Sequence, residues 1–331
     1  MLKVAINGFG RIGRTALRLL MQEKDIEVVA INDLTDPLQL AYLYKYDSVH
    51  RTINYKVTYD DDELFVKNKR IKVFAEPDPT KLPWGELGVD VVLECTGVFT
   101  SGEKCQTHLD AGAKHVIISA PAKDEVKTIV YGVNEKELKK EDKIISAASC
   151  TTNCLAPVLK AIDDKYHIVK GFMTTVHAMT NDQETLDIPH KKGITSRRGR
   201  AASLNIIPTS TGAASQIGKV IPHLKGKMDG VAFRVPVGDG SVVDVVLELQ
   251  KNATPEAINN MFKSSQNQTL KYTDDPIVSS DIIGEECGAV VDGLLTNVVE
   301  SNGKQLVKVV AWYDNEVGYT AQMIRTMKLF M

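Results

Sequence analysis

Apolar and polar positions fall into two textures along this chain. In the first part, short apolar runs are separated by segments of helical spacing. Residues 2–7 (Leu-Lys-Val-Ala-Ile-Asn) have the pattern of a buried strand, and Ile12, Ala16, Leu19 and Leu20 then fall on one side of a helix. A second strand is predicted over 27–32, and further buried strands over 89–95, within 113–119 (His115-Val116-Ile117-Ile118) and over 143–147. Strands alternating with helices predict an α/β domain on a parallel sheet. After Cys150 the pattern changes. A helix is predicted from Thr152 to about Lys165, followed by strand-like runs at 171–178, 231–236, 241–250, 289–292 and 306–313. Their in–out alternation predicts a mostly antiparallel sheet with one face packed on helices. The polar stretch 179–205 is long for a loop inside a compact domain, which points to a functional role. The last segment, 317–331, has a helical pattern.

The turn after the first strand reads Gly8-Phe9-Gly10-Arg11-Ile12-Gly13, and the second strand ends at Asp33. A strand, a GxGxxG turn, a helix and a second strand ending in an acid form, in register, a dinucleotide-binding unit. The glycines permit a tight turn and close approach of a pyrophosphate to the helix start. Asp33 would accept hydrogen bonds from an adenosine ribose and repel a 2′-phosphate; a helix cap or solvated loop acid is the alternative. Thr96-Gly97 and Ser119-Ala120-Pro121 put small polar residues at strand C-termini, where ligands bind in open α/β sheets.

A length of 331 residues suits two domains. The sequence divides at 149/150, with 1–149 cofactor-binding, 150–316 catalytic and 317–331 expected to pack back onto the first domain. A net charge of −2 gives no electrostatic case for nucleic acid or an anionic membrane. No apolar run is long enough for a membrane span, and the chain enters a strand at once, leaving no room for a signal peptide. The five cysteines lack the spacing of a disulfide framework or a zinc site, so no metal is expected, and reduced thiols fit a cytoplasmic enzyme.

Cys150 lies in Ala148-Ser149-Cys150-Thr151-Thr152-Asn153, at a helix start. Unpaired N–H groups and the partial positive charge there favour the thiolate nucleophile; a packed thiol is the alternative. Cys154, one turn on, could trap an oxidised Cys150 or simply pack. A thiol nucleophile needs a base, and His177, at the end of an apolar strand, is the candidate. His50, His108, His115, His190 and His223 have polar or turn-like neighbours and are expected at the surface, while His167 is expected to cap a helix C-terminus. Arg234 lies inside an apolar strand, so it must be paired or face a ligand. Arg198 lies in the long polar stretch, and Thr209-Ser210-Thr211-Gly212 offers hydroxyls and amides near a helix start.

These segments resemble the phosphorylating glyceraldehyde-3-phosphate dehydrogenases. The resemblance runs through 6–14, 31–33, 119–123, 148–154, 175–178, 205–214, 234–236 and Trp312-Tyr313-Asp314-Asn315-Glu316, in order. It implies that Cys150 attacks an aldehyde to give a thiohemiacetal, with His177 as base. Hydride transfer to NAD then leaves a thioester, and inorganic phosphate releases an acyl phosphate. It further implies that Thr180, Asp182, Arg198 and Arg234 hold the phosphate of glyceraldehyde 3-phosphate. Ser149, Thr151, Thr211 and Gly212 would bind inorganic phosphate. Asn7, Gly8, Phe9, Gly10, Arg11, Ile12, Asp33, Thr96, Ser119 and Asn315 would bind NAD. A homotetramer is implied, with the loop 179–205 at a subunit interface.

The chain departs from the family pattern at Met179, where tyrosine is usual, at Pro77, where a basic residue is frequent, and at Val237-Gly238-Asp239-Gly240. The segment 192–196 does not align, leaving Arg197 and Arg198 both open. Leu34, Ile188 and Pro189, with Asp33, favour NAD over NADP. Erythrose-4-phosphate dehydrogenase shares most of these motifs, and a binding or regulatory protein on the same scaffold is a rival of another class.

Overall fold

The first apolar run becomes the centre of a sheet. A computed structural model describes residues 1–331. The chain divides into two units, one of Met1–Ile129, Glu135–Ala148 and Met323–Met331, the other of Val130–Asn134 and Ser149–Gln322.

The first unit contains, in order, β1 (Leu2–Asn7), α1 (Arg11–Leu20), β2 (Ile26–Asn32), α2 (Pro37–Lys45), β3 (Val57–Tyr59), β4 (Glu63–Val66), β5 (Lys69–Phe74), α3 (Trp84–Leu87), β6 (Val91–Glu94), α4 (Gly102–Asp110), β7 (His115–Ile118), β8 (Lys127–Thr128) and β9 (Ile144–Ser146). They form one sheet in the order β3-β4-β5-β2-β1-β6-β7-β9-β8. β1 pairs in parallel with β2 on one side and β6 on the other, so the strand order reverses beside it, which is where open α/β sheets bind ligands. β3, β4 and β5 form an antiparallel edge. The buried stripe of α1 is Gly13, Ala16, Leu17 and Leu20, so Leu17 takes the core place expected of Ile12 and Leu19, which are only half-buried. The core on the α4 side gathers Ala5, Ala30, Val92, Val116 and Ile118 around Trp84, which is fully buried. Truncating such a tryptophan to alanine costs about 3–5 kcal/mol.

The second unit contains α5 (Cys150–Tyr166), β10 (Ile168–Ala178), β11 (Ile207–Ser210), α6 (Ala213–Val220), β12 (Met228–Val235), β13 (Ser241–Leu249), α7 (Pro255–Ser264), β14 (Leu270–Thr273), β15 (Ala289–Asp292), β16 (Asn297–Ser301) and β17 (Lys304–Tyr313). Helix α8 (Val317–Met327) belongs to this unit as far as Gln322. The sheet order is β11-β12-β10-β13-β17-β15-β14, with β16 beside β17. It is mostly antiparallel, but β10–β12 and β14–β15 run parallel. In β13 buried and half-buried residues alternate strictly, the pattern of a sheet with one packed face. The parallel pairing sets His177 opposite Arg234 and Ala178 opposite Val235. No helix is long and apolar enough to cross a membrane.

Candidate active site

Helix α5 begins at Cys150, two residues earlier than its spacing predicts, because Ser149 is the N-cap and its hydroxyl accepts the Thr152 N–H (3.1 Å). Cys150 therefore occupies the first helical position, where backbone N–H groups have no intrahelical partner. Ala148, just before the cap, holds φ at 59°, a left-handed conformation costing about 1–2 kcal/mol for a residue with a Cβ.

Cys150 Sγ lies 3.3 Å from His177 Nε2. The other ring nitrogen decides what that contact means. His177 Nδ1 is 2.7 Å from the Ala178 carbonyl oxygen, which can only accept, so Nδ1 carries the proton. Nε2 is then a lone pair facing the thiol. Arg234 Nη1 also lies 3.1 Å from Nδ1, but its two hydrogens go to the Ala178 carbonyl (3.0 Å) and the Thr180 hydroxyl (2.7 Å). The imidazole is buried, and that burial, with the nearby Arg234, pushes its pKa down to about 3. It is neutral at physiological pH and available as a base.

The thiol departs from the sequence expectation. Burial pushes the Cys150 pKa up, opposed by the charge of Arg234 and by the Thr151 hydroxyl and amide. Both members of the resting pair are thus held toward their neutral forms, a thiol against an imidazole lone pair. Cys154 is fully buried, and its Sγ faces the Ala311 carbonyl at 3.9 Å.

Tyr313 supports the pair from beneath. Its hydroxyl sits between those of Thr151 (2.9 Å) and Thr175 (2.8 Å), and its ring meets His177 edge-on at 6.0 Å. Ser241 donates to Asn315 Oδ1 (2.6 Å) and accepts the Ala178 N–H (3.0 Å). This turns the NH2 group of Asn315 away from Ser241. Neither Tyr313 nor Ser241 stands out in the sequence as a functional residue, since each is joined to its partners by long-range pairing. Asp239, in the turn before β13, is buried, and that burial, with the carboxylates of Asp314 and Glu316, pushes its pKa well up.

Thr180, Asp182, Arg198 and Arg234 come together. Asp182 accepts from the Thr180 hydroxyl (2.5 Å) and pairs with Arg198, whose Nε donates to the Thr209 hydroxyl (3.2 Å). Arg197, the alternative, is exposed and lies in the left-handed region at φ 57°. The pKa of Arg198 is lowered by burial and by the charge of Arg234. Arg234 Nε is buried and has no hydrogen-bond partner. Two guanidiniums that repel one another, one with an orphan donor, form a site for an anion. Thr211 accepts the Ala213 N–H (3.1 Å) at the start of α6, whose N-cap, Gly212, supplies no side-chain cap.

In the first unit the glycine turn fits a dinucleotide. Gly8 holds φ at 91°, and a Cβ there would lie 2.6 Å from Thr96 N. A Cβ on Gly13 would strike the Gly8 carbonyl, whereas one on Gly10 would meet nothing within 4 Å, leaving that side open. Gly10 is the N-cap of α1 and offers no side-chain cap, so no capping side chain stands between the helix start and a pyrophosphate. Asp33 accepts the N–H of Phe9 (2.7 Å) and of Thr35 (3.0 Å), bracing the glycine turn as well as reaching its outer edge. The Arg11 side chain pairs with Asp47, whose pKa is held at about 2 against the effect of burial, by the His50 N–H and Arg11. Any contact of Arg11 with pyrophosphate therefore falls to its backbone. Thr96 is exposed on its turn and Ser119 half-buried at the end of β7.

One expectation fails here. His108 is not at the surface; it is fully buried against Trp84 and Glu94.

A glycine turn on a parallel sheet in one unit and a thiol–imidazole pair in the other define an NAD-dependent oxidoreductase with a thiol centre. The chain belongs to the glyceraldehyde 3-phosphate dehydrogenase family. Residues 2–102 match the family's NAD binding domain and residues 149–315 its C-terminal domain. It is 56% identical over 330 residues to the glyceraldehyde-3-phosphate dehydrogenase of Clostridium pasteurianum, covering 100% of this chain and 98% of that protein. The C. acetobutylicum enzyme of the same name matches to the same extent, and that of Lactobacillus delbrueckii subsp. bulgaricus is 52% identical over 333 residues, covering 99% and 98%.

Proposed function

We propose that this chain oxidises glyceraldehyde 3-phosphate with NAD and inorganic phosphate to 1,3-bisphosphoglycerate. The observation that carries this is Arg234, whose guanidinium lies against the Ala178 carbonyl beside the base and against Thr180 in the anion site. One residue thus links the surroundings of the proposed base to the proposed anion site.

Cys150 Sγ attacks the aldehyde carbon while His177 Nε2 takes the thiol proton, giving a thiohemiacetal. The new Nε2–H then donates to the oxyanion, which the first amides of α5 also face. NAD, when bound, supplies the hydride acceptor that brings this adduct to the thioester. Gly8, Gly10, Ile12 and the start of α1 would hold its pyrophosphate, Asp33 its adenosine ribose, and Thr96 and Ser119 the groove beside them. Asn7 and Phe9 shape the turn, and Asn315 would present its NH2 group to the carboxamide. Thr180, Arg198 and Arg234 hold the substrate phosphate; Asp182, being an anion, acts by orienting Thr180 and Arg198. Ser149, Thr151, Thr211 and Gly212 receive the inorganic phosphate that cleaves the thioester.

The division of labour is 1–149 for cofactor and 150–316 for chemistry, with the chain end from Met323 to Met331 returning to the first unit. The working form is a cytoplasmic homotetramer, in which a second copy covers outward apolar residues such as Phe172, 72% exposed on β10, and Leu204 and Ile206 beside the loop 179–205. The test is NADH formation with each of two aldehydes, with and without inorganic phosphate. Phosphate-dependent NADH from the triose phosphate is expected. A strong preference for erythrose 4-phosphate, or no NADH from either, would overturn the assignment.

A further inference from the structure

Beneath the glycine turn lies a buried polar row. Asn32, Asn7 and Glu94 are register partners at the C-terminal ends of β2, β1 and β6. Each is at most 6% exposed. Asn32 donates to Asn7 Oδ1 (2.7 Å), which turns the Asn7 NH2 group onto Glu94 Oε2 (2.5 Å). Asn32 is itself fixed by the Glu76 backbone, accepting its N–H and donating to its carbonyl, each at 2.9 Å. From α4, His108 approaches the same carboxylate oxygen at 3.2 Å.

The indole of Trp84 settles the state of that histidine. Trp84 Nε1–H can only donate, and it lies 3.1 Å from His108 Nδ1. Nδ1 is therefore the acceptor, Nε2 carries the proton, and the ring is neutral. Glu94 Oε1 accepts the Thr96 N–H (2.8 Å) and the Thr96 hydroxyl. Three of the four groups facing Glu94 can only donate there, the Thr96 N–H, the Asn7 NH2 and the His108 Nε2–H, and the Thr96 hydroxyl donates as the fourth. Four donated hydrogen bonds suit a carboxylate at Glu94. Its charge reaches its neighbours, since burial and then Glu94 push the thiols of Cys95 and Cys105 up to about 12.

The anion joins the two turns that line the cofactor site. One is the Gly8–Gly10 turn, which follows Asn7 directly; the other is Thr96-Gly97, which follows Glu94. The two backbones are close enough that only a glycine fits at position 8, a Cβ lying 2.6 Å from Thr96 N and 2.8 Å from the Cys95 carbonyl carbon. We infer that Glu94 is a positioning residue for the dinucleotide: held by Asn7, His108 and Trp84, it fixes the Thr96 turn against the glycine turn and so sets the width of the cofactor groove. This rests on the reading that these turns bind NAD.

The test is NAD affinity measured by titration calorimetry, with steady-state KM and kcat, for wild type and Glu94→Gln. NAD binding by wild type checks the underlying reading separately. The glutamine keeps the shape but points an NH2 group at either Thr96 or the Asn7–His108 pair, so one turn loses its anchor. The Kd and KM for NAD are expected to rise at least ~10-fold, with a much smaller change in kcat at saturating NAD. Glu94→Asp, which keeps the charge, should recover part of the loss. Trp84→Phe, which removes the donor fixing His108 and leaves a smaller ring in the core, and Thr96→Val, which removes the hydroxyl bonded to Glu94 and to the Val98 N–H, should each raise Kd about threefold, and they carry the test if Glu94→Gln does not fold. Unchanged NAD affinity in a folded Glu94→Gln, or in both Trp84→Phe and Thr96→Val, would overturn the inference. So would a loss confined to kcat.

Discussion

His177 and His108 are both buried histidines with both ring nitrogens engaged, yet they are wired oppositely. At His177 the Ala178 carbonyl accepts the Nδ1–H hydrogen bond and leaves Nε2 as a lone pair against a thiol. At His108 the Trp84 indole occupies the Nδ1 lone pair and leaves Nε2–H as a donor to a carboxylate. The neighbour of Nδ1 decides the tautomer, and the tautomer decides whether the ring is a base or a strut. The partner of Nε2 differs to match: a thiol can give up its proton and bond another atom, whereas the oxygens of Glu94 already accept four hydrogen bonds.

The most damaging way to break this contrast is to remove the base. His177→Asn should lower kcat by ~10²–10⁴, the usual contribution of a positioned general base. The same variant carries a stability signature. Because the folded His177 pKa is about 3 against an ordinary 6.5, the unfolded chain binds more protons between those values, so stability falls as pH drops from about 6.5 toward 3. Denaturant melts of His177→Asn across that window should show a shallower fall than wild type.

A smaller effect separates adjacent arginines. Arg198→Ala should cost about 10–100-fold in kcat/KM for the triose phosphate, the loss of charged hydrogen bonds to a phosphate. Arg197→Ala, an exposed side chain, should stay within about twofold. Equal losses at the two positions would show that the loop adopts another arrangement when substrate binds.

The legible parts of the sequence were those encoded locally. The glycine turn, the central parallel strands, the Cys150 helix start and His177 at a strand end are each specified by a few consecutive residues. The antiparallel edge β3–β5 has no clear sequence pattern, because charged residues such as Asp60, Asp61, Asp62 and Lys67 interrupt its alternation. His108 reads as a surface residue because α4 is Gly-Glu-Lys-Cys-Gln-Thr-His-Leu-Asp, and its partners Trp84 and Glu94 lie 24 and 14 positions away. Tyr313 has no local signal of its own, since it meets Thr151 from 162 positions along the chain. The choice between Arg197 and Arg198 rests on a left-handed residue that no periodicity reveals. The state of the Cys150 thiol depends on burial, which helix position alone does not supply.

The covalent role of Cys150 is tested most directly by mixing enzyme with NAD and glyceraldehyde 3-phosphate in the absence of phosphate, followed by acid quench and mass spectrometry of the peptide that carries it. A hydroxylamine-sensitive acyl adduct on Cys150 is the expected result, discharged on adding inorganic phosphate and absent in Cys150→Ser. An adduct on Cys154 or elsewhere, or NADH formed at an undiminished rate by Cys150→Ser, would contradict it.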